Sequence, residues 1–121
     1  MEFEDAIQAH IKWKETLVAY LNKTDQSISA SVIASDHHCI LGQWIYKEGS
    51  HYQHTVEWQE LRITHQKFHK IAGEVVWLIH QNKKAEAQAL LAPGSLYNAL
   101  CSQCVLLIVM MQKIVNSDSS S

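Results

Sequence analysis

The chain has 121 residues, enough for one domain with its own core and too few for two ordinary ones. Apolar residues make up 47% of it, which argues for a folded chain rather than a disordered one. The formal net charge is −2 and Lys83-Lys84 is the only adjacent basic pair, so nothing points to a nucleic-acid surface.

The start, "MEFEDAIQAH", is acidic where a secretory leader would be basic. The apolar run from Val105 to Met111 falls far short of the roughly 20 residues needed to cross a bilayer. Three cysteines are an odd number, and without a leader they point to reduced thiols. The expectation is a soluble cytoplasmic chain with no membrane insertion.

Glycine is scarce and there is one proline, so the chain reads as all-α. The first helix is expected from about Glu2 to Asn22. Its inward stripe carries Phe3, Ile7, His10, Leu17 and Leu21 at helical spacing, with Lys14 as an interruption and Trp13 beside it. Residues 22–29 read as a polar connector. Asp36 then suits an N-cap, with a short helix beginning at His37 and ending near Gly49. A long helix is expected from about Thr55 to Gln81, with Trp58, Leu61, His65, Phe68, His69, Ala72, Val75, Val76 and Ile79 on one stripe. A shorter one follows from about Lys83 to Leu91, stopped at Pro93-Gly94, and a last one from about Ser95 to Val115. The polar end, "NSDSSS", is expected to fray. From Cys104 to Met111 the last helix is apolar on every side, which favours a second chain covering its outer face over wrapping by its own helices.

The chemistry gathers on a few residues. His65 and His69 are four apart on a helix, so their imidazoles point the same way, among Leu61, Phe68 and Ala72. A buried histidine needs a partner, and a metal satisfies two at once. Cys39 falls in the first turn of the short helix, where the N-terminus is expected to lower the thiol pKa. His10 adds an imidazole from an inward stripe. Three nitrogens and one sulfur form a closed set of the kind zinc accepts in preference to magnesium, calcium or manganese. His37 and His38 read as surface residues at a helix start, with His38 the main rival for a ligand position. His51, His54 and His80 read as solvated. Cys101 and Cys104 form a C-x-x-C inside a helix, where two small core residues are the expected reading. Trp13 and Trp44 are expected to pack around the site, Asp36 to cap the helix or orient an imidazole, and Gly42 to let another helix approach.

"AHIKW" (His10, Trp13), "DHHCILGQWIY" (Cys39, Gly42, Trp44) and "THQKFH" (His65, Phe68, His69) together resemble the chemoreceptor zinc-binding, or CZB, domain. The resemblance implies an antiparallel four-helix-bundle-like fold with an additional short helix carrying the cysteine, spanning residues 1–116 with a flexible tail at 117–121. It implies a homodimer in a bacterial cytoplasm and zinc on His10, Cys39, His65 and His69. It also implies a regulatory role, sensing zinc or oxidants such as hypochlorous acid at the Cys39 thiolate, with output through a signalling partner in chemotaxis or cyclic-di-GMP turnover. No receptor hairpin or cyclase segment is visible, so the chain reads as a free-standing or excised domain. Two other classes compete. A metal-dependent enzyme with three histidines on the ion needs an open fourth position, which Cys39 would close. A di-iron bundle of the hemerythrin type needs further histidines and bridging carboxylates, and only one H-x-x-x-H is present.

Overall fold

The computed structural model describes residues 2–22, 29–37 and 39–119. Six α-helices follow in order: α1 Phe3–Asn22, α2 Ala30–Ala34, α3 Ile40–Tyr46, α4 Val56–His80, α5 Lys84–Leu91 and α6 Leu96–Ser119, with a 3-10 turn at Glu48–Tyr52. No strand occurs among the described residues. The fold is a helical bundle with the extra short helix at Cys39.

The long helices lie close to their expected ranges because their ends are written locally. Thr55 caps α4, its hydroxyl accepting from the Trp58 N–H at 3.1 Å. At the other end Asn82 adopts a left-handed φ of 61° and the Lys83 N–H returns to the Leu78 carbonyl at 2.9 Å, the helix-ending arrangement that asparagine tolerates. All nine residues expected on the α4 stripe are buried. Helix α6 runs antiparallel to α1 and α4: Lys14 Nζ donates to Asn98 Oδ1 at 3.3 Å near one end, and the Tyr52 hydroxyl donates to Asp118 at 3.0 Å near the other. Helices α1 and α4 share a direction, with His10 beside His65 and Tyr20 beside His80.

Several expectations need correction. Helix α3 begins at Ile40, not His37, and its N-cap is Cys39, not Asp36. Asp36 is buried instead, and its carboxylate accepts a hydrogen bond from the Tyr46 hydroxyl. The connector does not run straight into α3, because the five-residue α2 intervenes, capped by Ser29. Most of the expected connector, residues 23–28, lies outside the described residues. The last helix continues four residues past Val115 to Ser119, so the tail does not begin where its composition turns polar. His80 is not simply solvated: it is half-buried, with Nε2 2.6 Å from the Tyr20 hydroxyl.

Helix α6 is only partly covered. Tyr97, Cys104, Leu107, Ile108 and Met111 are buried, whereas Leu96 is 57% exposed, Leu106 54% and Met110 36%. The buried Cys104 and half-buried Cys101 occupy the core side, as expected of small core residues. Although the central apolar run is short, the segment Lys84–Asp118 contains a helix long and apolar enough, by length and composition, to cross a membrane. One face of that helix is nevertheless packed on the chain's own core.

Gly42 fixes the approach to the site. A Cβ there would lie 1.7 Å from the Asp36 carbonyl oxygen, so the 36–37 backbone rests directly on α3. The close neighbour is this preceding turn and not another helix. In an ordinary helix interior, glycine to alanine stabilises by up to about 1 kcal/mol. Here Gly42→Ala is expected to destabilise by at least about 2 kcal/mol, because backbone must move. Urea unfolding of the variant gives the sign directly.

Candidate metal centre

Two apolar clusters fill the bundle. Ile7 and Leu61 belong to one, Leu17 and Phe68 to the other. His10 on α1 and His65 and His69 on α4 stand between them, all buried. Cys39 reaches the same point from the start of α3. One donor atom from each of the four lies within 4.8 Å of the others. His65 Nε2 is 3.0 Å from His69 Nε2, and the Cys39 sulfur is 3.2 Å from His65 Nε2 and 3.5 Å from His69 Nε2.

The protein sets which nitrogen of two rings is free. His10 Nδ1 is 2.8 Å from the Ala6 carbonyl, and His69 Nδ1 is 2.9 Å from the Ile33 carbonyl. A carbonyl only accepts, so each Nδ1 carries the proton and each Nε2 presents a lone pair. This is how backbone oxygens orient metal-binding imidazoles. The His10 Nε2 left free in this way is buried and has no hydrogen-bond partner among the described residues, nor has His65 Nδ1. Buried polar atoms of this kind are costly unless something satisfies them. With roughly 2.0–2.1 Å to nitrogen and roughly 2.3 Å to sulfur, a tetrahedral zinc separates its donors by roughly 3.3–3.6 Å. The three contacts among Cys39, His65 and His69 lie near that span, and His10 stands at the outer edge. The four residues could hold a metal ion, and a donor set of three nitrogens and one sulfur suits zinc.

Burial dominates the electrostatics. It lowers the pKa of His10, the Ala6 bond opposing it and His69 adding to it. It also lowers His69, against the Ile33 bond and the Asp36 charge. His65 is pushed from its usual 6.5 down to about 2 by burial and then by its histidine neighbours. The expectation that the helix N-terminus would lower the Cys39 pKa is overturned. Burial raises it, and the Gly42 and Leu41 N–H groups recover only part of that shift. The Gly42 N–H lies 3.3 Å from the sulfur, so Cys39 is at once helix cap and candidate ligand.

The flanking residues divide. Phe68 packs on the His10 ring at 5.3 Å and the His69 ring at 5.5 Å, and Trp13 lines a small pocket beside Cys39 and His69. Trp44 works further off, meeting Phe3 edge-on at 5.2 Å and stacking on Tyr52 at 6.4 Å, which seats α3. The Trp58 Nε1–H donates to the Ile45 carbonyl at 3.2 Å and ties α3 to α4. His37 is exposed and stacks on Tyr46, while His38 lies outside the described residues. Sequence reasoning missed the Ala6 and Ile33 carbonyls. The apolar "SVIA" at 31–34 was the available sign of α2.

The profile of the chemoreceptor zinc-binding domain matches residues 10–76, a stretch that contains all four donor residues. The chain belongs to the CZB family. CZB domains are zinc-binding domains of sensory proteins, and the cluster of three histidines and one cysteine in this member accords with that. No curated protein and no solved structure matches the chain.

Three imidazoles with lowered pKa values give the metal-free protein a definite acid response. Each stays neutral when folded and gains a proton readily when unfolded, so the unfolded state binds more protons below the ordinary value of 6.5. Stability is then full above that value and falls as the pH drops below it, by up to about 1.4 kcal/mol per pH unit for each of the three imidazoles. Chemical denaturation of metal-free protein between pH 8 and pH 5 measures this. A flat profile would contradict neutral burial of the imidazoles.

Proposed function

We propose that this CZB domain is a regulatory zinc sensor without enzymatic activity, binding the ion through His10, Cys39, His65 and His69. The carrying observation is the convergence of these four donors within 4.8 Å, with the three histidines buried. Zinc bound there would hold Cys39 as a thiolate and join the α3 start to α1 and α4. Cys39 in the fourth position speaks against a three-histidine enzyme, since no coordination site is left for water.

The regulated element is the segment that carries the sulfur. The same Cys39 atom accepts the Gly42 N–H, so a change in its charge or oxidation alters both the ligand set and the cap of α3. That helix is short and leans on Trp44 and on the Trp58–Ile45 bond, so it is the part that loosens first. The input is zinc availability or oxidation of the Cys39 thiolate, for example by hypochlorous acid. The output runs through a homodimer to a chemotaxis or cyclic-di-GMP partner in the bacterial cytoplasm. The domain occupies residues 1–116, and 117–121 form its polar end, the first three of them continuing α6.

Metal analysis decides the ligand set. Cys39→Ser and His65→Ala are each expected to weaken zinc binding by about 10-fold or more, as loss of a ligand does. Competition against a chromophoric chelator reads the change, and full zinc retention in both variants would remove the proposed site.

The exposed stripe of α6 supports the dimer. Leu106 and Met110 stand in it beside the half-buried Val105 and Val109. Leu106→Glu, placed at an exposed position, is expected to yield a folded monomer by sedimentation with its helical circular dichroism unchanged. A variant whose mass equals that of the parent would rule out this face as the interface.

A further inference from the structure

Three of the four donor residues are buried, and only Cys39 is half-exposed. Beside it lies a pocket of about 170 Å³ lined by Trp13, Val32, Ile33, Ser35, Cys39 and His69. Two of its walls are donor residues of the cluster. The others come from α1, from α2 and from the residue that ends α2. That volume is about five or six times the share of one water in the liquid, so it admits a molecule of only a few heavy atoms. Among the described residues, the donors Cys39 and His69 are the only lining side chains with an ionisable group. Trp13, Val32 and Ile33 make it apolar, and Ser35 supplies the one hydroxyl. The nearest acid in sequence, Asp36, is buried and engaged by the Tyr46 hydroxyl. Val32, 49% exposed, stands where the pocket meets solvent.

A charged molecule entering this space must shed water against walls that return few hydrogen bonds, whereas an uncharged one of the same size loses little. We propose that this pocket is the entrance through which small uncharged thiol-reactive molecules reach the Cys39 sulfur, and that its walls select them over charged molecules of equal intrinsic reactivity. The inference rests on the reading of Cys39 as the responsive ligand. It adds which chemical class of signal the site admits and assigns the filter to Trp13, Val32 and Ile33.

Methanethiosulfonates test this, because charge varies while the reacting group stays the same. The Cys39 sulfur attacks the divalent sulfur of the reagent; a new disulfide bond forms, the bond to the sulfonyl sulfur breaks, and methanesulfinate leaves with the electron pair. Zinc-loaded protein is treated with the neutral propyl, the anionic carboxyethyl and the cationic aminoethyl reagents, whose tails are of similar size. Modification of Cys39 is followed by site-resolved mass spectrometry, and each rate is divided by that of 2-mercaptoethanol with the same reagent. Both charged reagents are expected to be slowed about 10-fold relative to the neutral one. A mere surface-charge effect would slow one and speed the other. Val32→Lys should restore the anionic rate several-fold and Val32→Glu the cationic rate, with the neutral rate unchanged. Normalised rates that are equal for all three reagents, in the parent and in both Val32 variants, would overturn the entrance. Zinc content is read on the same samples. Zinc that stays fully bound after complete modification of Cys39 counts against the coordination reading, and the rate ratios still decide the entrance.

Discussion

Three imidazoles and a thiol meet in the middle of a small bundle, and each nitrogen that has no water must find another partner. That constraint organises the neighbourhood. The Ala6 and Ile33 carbonyls take the Nδ1 protons of His10 and His69, which turns the opposite nitrogens towards a common point. The short helix α2 owes its place to this arrangement. Five residues do not hold a helix in water, so α2 depends on Ile33 entering the core, on the His69 bond to its carbonyl, and on Gly73, where a Cβ would lie 2.6 Å from that of Ala34.

The sulfur is delivered differently. Its helix is held from three sides: Trp44 against Phe3, the Trp58 indole on the Ile45 carbonyl, and the 36–37 backbone pressed on Gly42. Asp36 would be an expensive buried charge, and the Tyr46 hydroxyl at the far end of α3 offsets this. Burial and that carboxylate push the Tyr46 phenol up to about 12. The turn before Cys39 is thus fastened at both ends.

Much of this was legible in the sequence, and for identifiable reasons. The stripes of α1 and α4 follow from helical periodicity, and the inward places of His10, His65 and His69 follow with them. Cys39 was legible through the motif around it. What could not be read is tertiary in origin. Asp36 looks like a cap because caps are local, but a half-buried tyrosine, Tyr46, claims its carboxylate from the other end of α3. The Cys39 thiol pKa rises because burial, invisible in the local sequence, outweighs the helix N-terminus. The lining carbonyls carry no side-chain signature at all. Helix α6 outruns its apolar stretch, and near its end Asp118 accepts a hydrogen bond from the Tyr52 hydroxyl, a long-range contact that the local composition does not show.

The order of the donors along the chain has a consequence of its own. His10 and Cys39 lie 29 positions apart, and Cys39 and His65 lie 26 apart. A single ion gripping all three ties off two successive loops that share the cysteine as their knot. In chain-entropy terms a permanent cross-link around a loop of this size restricts the unfolded chain by ~3–4 kcal/mol. A small secreted domain would need two disulfides for the same topology. Here one exchangeable ion would do it, and release of the sulfur alone would merge the two loops into a single one running from His10 to His65.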